Sequence, residues 1–174
     1  MIVLICGSKQ SGKDTVGKIL VNYYGFVRFS IATKIKEICR ELFNVSVNEI
    51  HDEIPQQSRV VLQKVANAMR SIDQDVWINY LIKSMYTTVQ QGKKIVVTDV
   101  RFEREIDKLK EVFHDVKIVV IKLKRRIDND DDVTETSVDL ISDDKVDYVV
   151  ENQDWTYDYF FNYMFALCSR LGNL

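Results

Sequence analysis

Along this chain, unbroken apolar stretches alternate with stretches in which apolar residues recur every three or four positions. Residues 2–6, IVLIC, carry no charged or amide side chain, the pattern of a strand buried on both faces of a parallel sheet. After a glycine-containing turn, Val16, Ile19, Leu20 and Tyr23 recur at helical spacing and Gly25 supplies a stop. A short strand at 27–29 precedes IATKIKEICRELF, where Ile31, Ile35, Ile38 and Leu42 mark one helical face. Residues 56–70 and 74–90 read as two further amphipathic helices, and Pro55 sits just ahead of the first. KKIVVTD, ending in Asp99, is a second long strand; FEREIDKLKEVF is a helix; KIVVIKL is a third long strand. VDYVV at 146–150 is one more strand, and a helix from about Asp154 to Arg170 follows it. Five strands alternating with helices predict an α/β fold, a parallel sheet covered on both faces. Between Leu123 and Lys145 the sequence turns polar and acidic, which suits a lid or an irregular excursion.

Composition narrows the function classes. With 174 residues, 46% of them hydrophobic and 29% charged, the chain reads as one globular domain over 1–174 with a real core. A net charge of −2 provides no basic field for a polyanion, so no nucleic-acid binding is expected. MIVLIC is too short for a signal peptide, and no stretch has the apolar length of a membrane span, so the expected location is cytoplasmic. Cys6, Cys39 and Cys168 are isolated in apolar or helical contexts and read as reduced core thiols. His51 and His114 lack partners at ligand spacing, so no zinc site is assigned.

The chemistry begins at CGSKQSGKDT, residues 6–15. Gly7, Gly12 and Lys13 meet the phosphate-loop pattern G-x-x-x-x-G-K-[ST], but Asp14 occupies the hydroxyl position and Thr15 follows it. Strand, glycine loop and helix come in the required order, so that backbone N–H groups and the helix start surround a nucleotide's phosphates. Lys13 then reaches the terminal phosphates. Asp14 offers Mg²⁺ a carboxylate, directly or through water, and Thr15 offers an inner phosphate a hydroxyl. The plainer alternative is a first-turn acid favoured by the helix dipole. In the second constellation, IVVTDVRFERE, Asp99 ends a strand expected beside the loop strand, at the sheet edge where ligands bind. Arg101 leaves the same turn with a planar fork suited to an anionic second substrate.

These residues resemble the deoxynucleoside monophosphate kinases of tailed bacteriophages, along most of the chain. GSKQSGKDT matches the family's G-x-x-x-S-G-K-D-[ST] loop, which adds Ser11 to the ATP contacts and makes Asp14 a family trait. FSIATKIKEI is similar to an A-x-P-[IL]-K segment, with Lys34 in place of the proline, and implies Lys36 as a phosphate contact. RVVLQKVANAMRSIDQDVWI resembles the stretch lining the monophosphate pocket and implies Arg59, Gln63, Arg70 and Trp77; Ala66-Asn67 stands where the family has Gly-Thr. VTDVRFERE resembles a D-x-R-x-x-x-E turn and gives Asp99, Arg101 and Glu105. NDDDVTE is similar to a lid sequence, with Asp132 in the place of a histidine, and DYVVEN resembles a strand ending near adenine, here at Asn152.

The resemblance implies an adenylate-kinase-like P-loop fold of three α/β/α layers, with monophosphate-binding helices over about 31–90 and a lid over about 123–145. It implies Mg-ATP as donor and a deoxynucleoside monophosphate as acceptor. Lys13, Asp99, Arg101 and the lid residues Arg125 and Arg126 are the expected catalytic groups, and Asp14, Thr15 and Asp99 the expected metal oxygens. The aromatic last helix is either a buried face or the interface of a homodimer. Animal-type phosphomevalonate kinase shares the loop, the D-x-R turn and a V-I-E-N end, and stands as an alternative. A nucleotide-binding scaffold without turnover is a second. A regulatory GTPase lacks support, since no N-K-x-D signature is present.

Overall fold

The computed structural model describes residues 1–8, 10–45, 56–124, 141–152 and 155–172. It divides into two compact units, one of Met1–Phe29 with Met85–Leu174 and one of Ser30–Ser84.

The first unit is built on a five-stranded sheet. Its strands are β1 (Ile2–Gly7), β2 (Val27–Phe29), β3 (Ile95–Val100), β4 (Ile118–Lys124) and β5 (Tyr148–Glu151), in the order β2-β3-β1-β4-β5. Every pairing is parallel. The all-apolar β1 lies at the centre, with Ile2 opposite both Ile95 and Ile118. Parallel strands need crossovers, which helices supply here: α1 (Lys13–Tyr24) follows β1 and α5 (Glu103–Val112) joins β3 to β4. A carboxy-terminal helix, α6 (Tyr157–Gly172), follows β5.

Side-chain alternation along the strands divides the core. Val3, Ile5, Val96, Val119 and Ile121 pack with Val16, Ile19 and Leu20 of α1 and with Phe160, Met164, Leu167 and Leu171 of α6. Their alternates Ile2, Leu4, Val97 and Val120 are equally buried, as are Ile106 and Leu109 of α5. Gly25 ends α1 in the left-handed region at φ 71°, its N–H donating to the Leu20 carbonyl.

The second unit consists of α2 (Ala32–Phe43), α3 (Gln56–Ile72) and the first part of α4 (Val76–Gln90), which runs on into the first unit. Its buried side chains include Ile31, Ile35, Cys39, Ala66, Trp77, Ile78 and Leu81. Lys34 pairs with Glu37 at 3.0 Å and lies over the Tyr80 ring. The chain therefore enters α2 at Ala32 without a proline at position 34.

Three expectations change in detail. Tyr23 is exposed and meets Phe165 edge-on at 5.2 Å, so the buried stripe of α1 is Val16, Gly17, Ile19 and Leu20. Leu42 is also exposed, because the buried stripe of α2 runs through Ile31, Ile35 and Cys39 and leaves Leu42 beside it. On α6 Phe160 is buried and Phe161 and Phe165 pack half-buried against the core, whereas Tyr157, Tyr159 and Tyr163 are exposed and Met164, Leu167, Cys168 and Leu171 complete the packed face. Among the described residues no helix is long and apolar enough to cross a membrane.

Candidate functional site

The glycine loop sits where β1 hands over to α1, at the carboxyl edge of the central strand. Its shape depends on two missing side chains. A Cβ at Gly7 would lie 2.4 Å from the Leu123 carbonyl oxygen and 2.7 Å from Ser11 Oγ, so β4 and the loop's far side close directly on the backbone. Gly12 has φ 99°, which side chains rarely adopt, and a Cβ there would meet the Phe160 ring at 2.4 Å. Gly12 thus begins α1 in a left-handed conformation with an aromatic ring of α6 pressed against it. Such a helix start leaves the N–H groups of its first turn without acceptors inside the helix.

Two observations fit this cradle to an anion. Ser11 Oγ is fully buried and finds no hydrogen-bond partner among the described residues, a costly state for a hydroxyl unless something else accepts or donates there. Lys13 Nζ donates to the carbonyls of Gly7 at 2.8 Å and of Ser8, bending its charge back over the loop. An ammonium held so close to the loop lies within reach of any phosphate the loop takes up. Asp14 and Thr15, in the first turn of α1, are half-buried. Asp14 does not stand alone: its Oδ1 accepts a hydrogen bond from a terminal nitrogen of Arg28.

Asp99 and Arg101 come from the end of β3, which pairs with β1 as the pattern predicts. Asp99 is half-buried and Arg101 exposed. Glu105 is buried, and its Oε2 accepts the backbone N–H groups of Arg101 at 2.8 Å and Phe102 at 3.2 Å. The carboxylate thereby caps α5 and fixes the turn that carries Arg101. At the end of β5, Asn152 is buried and its N–H donates to the Lys124 carbonyl at 2.8 Å.

Beyond β4, the chain returns as a firmly tied segment, 141–147. Lys122, buried in the sheet, donates to the Ile141 carbonyl and to Asp143 at 3.1 Å, and Lys124 donates to the same carboxylate. Those two lysines hold the Asp143 carboxyl below its usual range. Glu103 accepts the Ser142 N–H, Lys145 pairs with Asp107, and Asp147 accepts the Val120 N–H. Arg125, Arg126 and Asp132, and most of the expected lid, lie outside the described residues.

The second unit carries Lys36 on α2 and Arg59, Gln63 and Arg70 on α3, all half-buried. Spacings of four and seven residues set the three α3 side chains along one helical face. Trp77 is buried, and its indole N–H donates to the Ala66 carbonyl at 3.1 Å, fastening α4 to α3.

Sequence reasoning passed over Arg28, Thr98 and Lys122, and reads Phe160 only as part of the buried face of the last helix. Arg28 in V-R-F looks like an outward-facing edge-strand charge. Lys122 was hidden inside an apolar run, where an interrupting lysine was itself the signal.

The fold of known proteins bears on these residues. The chain matches a family model described as deoxynucleotide monophosphate kinase over residues 1–64. The matched span takes in the whole loop, Arg28 and the start of α3. A protein of Acanthamoeba polyphaga mimivirus, provisionally named deoxynucleotide monophosphate kinase, is 26% identical over 175 aligned positions, covering 87% of this chain and 88% of that one. Among solved structures, dephospho-CoA kinase from Campylobacter jejuni is similar with a TM-score of 0.58 and 16% identity over 99% of this chain and 97% of that one. A sugar kinase from Janibacter sp. is similar with a TM-score of 0.54 and 10% identity, over 97% and 92%. At those identities the likeness is one of fold alone.

Proposed function

We propose that this chain is a phosphotransferase that moves the γ-phosphoryl group of ATP onto a deoxynucleoside 5′-monophosphate. The observation that carries the reading is the loop itself: a glycine cradle with a buried, unpartnered Ser11 hydroxyl and the Lys13 ammonium folded over it, beside the strand end bearing Asp99 and Arg101. The deoxynucleotide monophosphate kinase pattern over residues 1–64 and the named mimivirus relative support the acceptor class.

In this reading Gly7, Ser11, Gly12, Lys13 and Thr15 take the phosphates of ATP, and Asn152 lies at the adenine end. Lys13 neutralises charge as the phosphoryl group leaves, and its flexible stem lets it trade the carbonyls of Gly7 and Ser8 for phosphate oxygens. Lys36, Arg59, Gln63 and Arg70 are the acceptor contacts proposed on the helical unit, and Arg101 is the anion contact proposed on the sheet unit. Trp77 and Glu105 serve acceptor binding by holding α3 and the Arg101 turn in place. Arg125 and Arg126 keep the lid role that the sequence suggests. The acceptor needs no base, because a monophosphate is already an anion at neutral pH, so position and charge supply most of the catalysis.

The hard oxygens of Asp14, Thr15 and Asp99 suit Mg²⁺, which keeps several waters and is shared with substrate phosphates rather than caged by protein. Bound there with ATP, it would supply positive charge that offsets that of the phosphates.

The test is ADP release from Mg-ATP across dTMP, dGMP, dCMP, dAMP, their ribose counterparts and mevalonate 5-phosphate. Turnover with a deoxynucleotide is the expected result. Turnover with phosphomevalonate alone would keep the loop's chemistry and replace the acceptor. ATP binding without ADP release for any acceptor would leave a scaffold.

A further inference from the structure

Arg28 stands at the centre of the three-residue edge strand β2, and both ends of its guanidinium are engaged. Nε–H donates to Thr98 Oγ1 at 3.1 Å, while a terminal nitrogen donates to Asp14 Oδ1. Thr98 is buried in β3 immediately before Asp99. One side chain therefore ties the first turn of α1 to the strand end that carries Asp99 and Arg101. Space for this arrangement comes from Gly17: a Cβ there would lie 2.6 Å from Thr98 Cγ2 and 4.0 Å from Arg28 Nε. Gly17 and the buried Thr98 thus seat the edge-strand arginine that reaches the Asp14 carboxylate.

We propose that Arg28 is the charge-compensating and positioning residue of this loop, the group that lets an acid occupy the place where the usual phosphate loop has a neutral hydroxyl. The argument is electrostatic. A carboxylate next to Lys13 in the first turn of α1 repels the phosphates the loop is built to take, and solvent screens that repulsion only in part because Asp14 is about half exposed. A guanidinium on Oδ1 offsets the charge and fixes the carboxylate's direction, leaving Oδ2 outside that pairing. Lysine would not serve equally well. A planar fork can hold a hydroxyl through Nε and a carboxylate through a terminal nitrogen at once, whereas an ammonium is a single point charge on a flexible stem. Arg28 touches Asp14 rather than substrate, so its effect on nucleotide passes through Asp14.

The inference rests on the reading of the loop as an ATP site, and its test separates the two. ATP binding would be measured by calorimetry, with Mg²⁺ and with chelator, for the unmodified chain, Arg28→Ala, Asp14→Ser and the double variant, with thermal melts alongside. Arg28→Ala is expected to weaken ATP at least about tenfold, equivalent to about 1.4 kcal/mol, and more with chelator than with Mg²⁺. Asp14→Ser, which restores the usual loop pattern, is expected to bring the double variant back to within about threefold of Asp14→Ser alone, the coupling a double-mutant cycle detects. Arg28→Lys, less disruptive to folding, should lose affinity several-fold and recover it on the same Asp14→Ser change. A double variant as weak as Arg28→Ala, or a single variant as tight as the unmodified chain, overturns the inference while leaving the ATP site intact. An unmodified chain that binds no ATP overturns the kinase reading and this inference with it.

Discussion

The buried carboxylate of Glu105 holds Arg101 by its backbone, accepting the Arg101 N–H at 2.8 Å and the Phe102 N–H at 3.2 Å through one oxygen. Glu105→Ala removes a charged acceptor from two donors and should cost about 1–3 kcal/mol of stability. Glu105→Gln should cost less, since an amide oxygen can replace part of the bonding. A loosened turn should raise the KM for the acceptor while leaving that for ATP nearly unchanged, as should Arg101→Ala more strongly. Denaturant titration and two-substrate kinetics check both points. An equal rise for both substrates would assign Arg101 to the ATP side.

Lys13→Ala should separate chemistry from folding. Its Nζ gives up hydrogen bonds to the loop carbonyls of Gly7 and Ser8, so the stability cost should stay within about 3 kcal/mol. Turnover should fall at least ~10²-fold, the scale of losing one charge contact in the transition state. Steady-state rates beside a melting curve test this, and near-normal turnover would remove the loop from the reaction.

Gly17 offers a reversal of the ordinary helix rule. Alanine in place of a helical glycine usually gains up to about 1 kcal/mol. Here the new Cβ would press on Thr98 Cγ2 at 2.6 Å, so Gly17→Ala should destabilise instead. Adding Thr98→Ser deletes that methyl group and keeps the hydroxyl that Arg28 uses, so the pair should regain most of the loss. Equal stability of the single and double variants would show that the contact is not the cause.

The cysteines should be silent below alkaline pH. Burial pushes the Cys6 thiol up to about 11 and the Cys168 thiol up to about 12, against an ordinary value of 9.0. The unfolded chain then ionises first, so their contribution to stability is whole below about pH 9 and is lost as pH climbs through the folded values. Native protein at pH 8 should react negligibly with a thiol reagent, whereas denatured protein should yield all three cysteines. Denaturant midpoints should begin to fall above pH 9, and Cys168→Ala should soften that decline. Rapid labelling of the native chain at pH 8 would contradict the burial.

What the sequence made legible follows from period and composition. Long apolar runs at 2–6, 95–100 and 118–124 could only be central parallel strands, and the loop between β1 and α1 announced itself through glycine spacing. Pairings between residues far apart in the chain left no such trace. Arg28 reaching Thr98 and Asp14, Phe160 sealing Gly12, and Lys122 turning inward to Ile141 and Asp143 depend on which strands become neighbours. Hydropathy also misjudged the margins of helices: Leu42 and Tyr23 fit the period but fall beside the buried stripe. Within the candidate site, residues of the loop and the Asp-x-Arg turn were readable because backbone geometry fixes their types. Buried Glu105 and Trp77 were readable as residues, while their use as supports for a turn and a helix pair required coordinates.

The placement of β1 has a consequence for how the protein is made. This strand is synthesised well before its hydrogen-bonding partners β3 and β4, whose registers begin at Ile95 and Ile118. At ribosomal speeds, a gap of roughly ninety residues corresponds to on the order of ten seconds. During that interval IVLIC has neither neighbour, and the loop that follows it has neither β4 nor Phe160 to close on. The nascent chain carries this apolar segment unpaired until β3 and β4 follow, so the glycine cradle closes only after them and the strand is open to mispairing in the meantime.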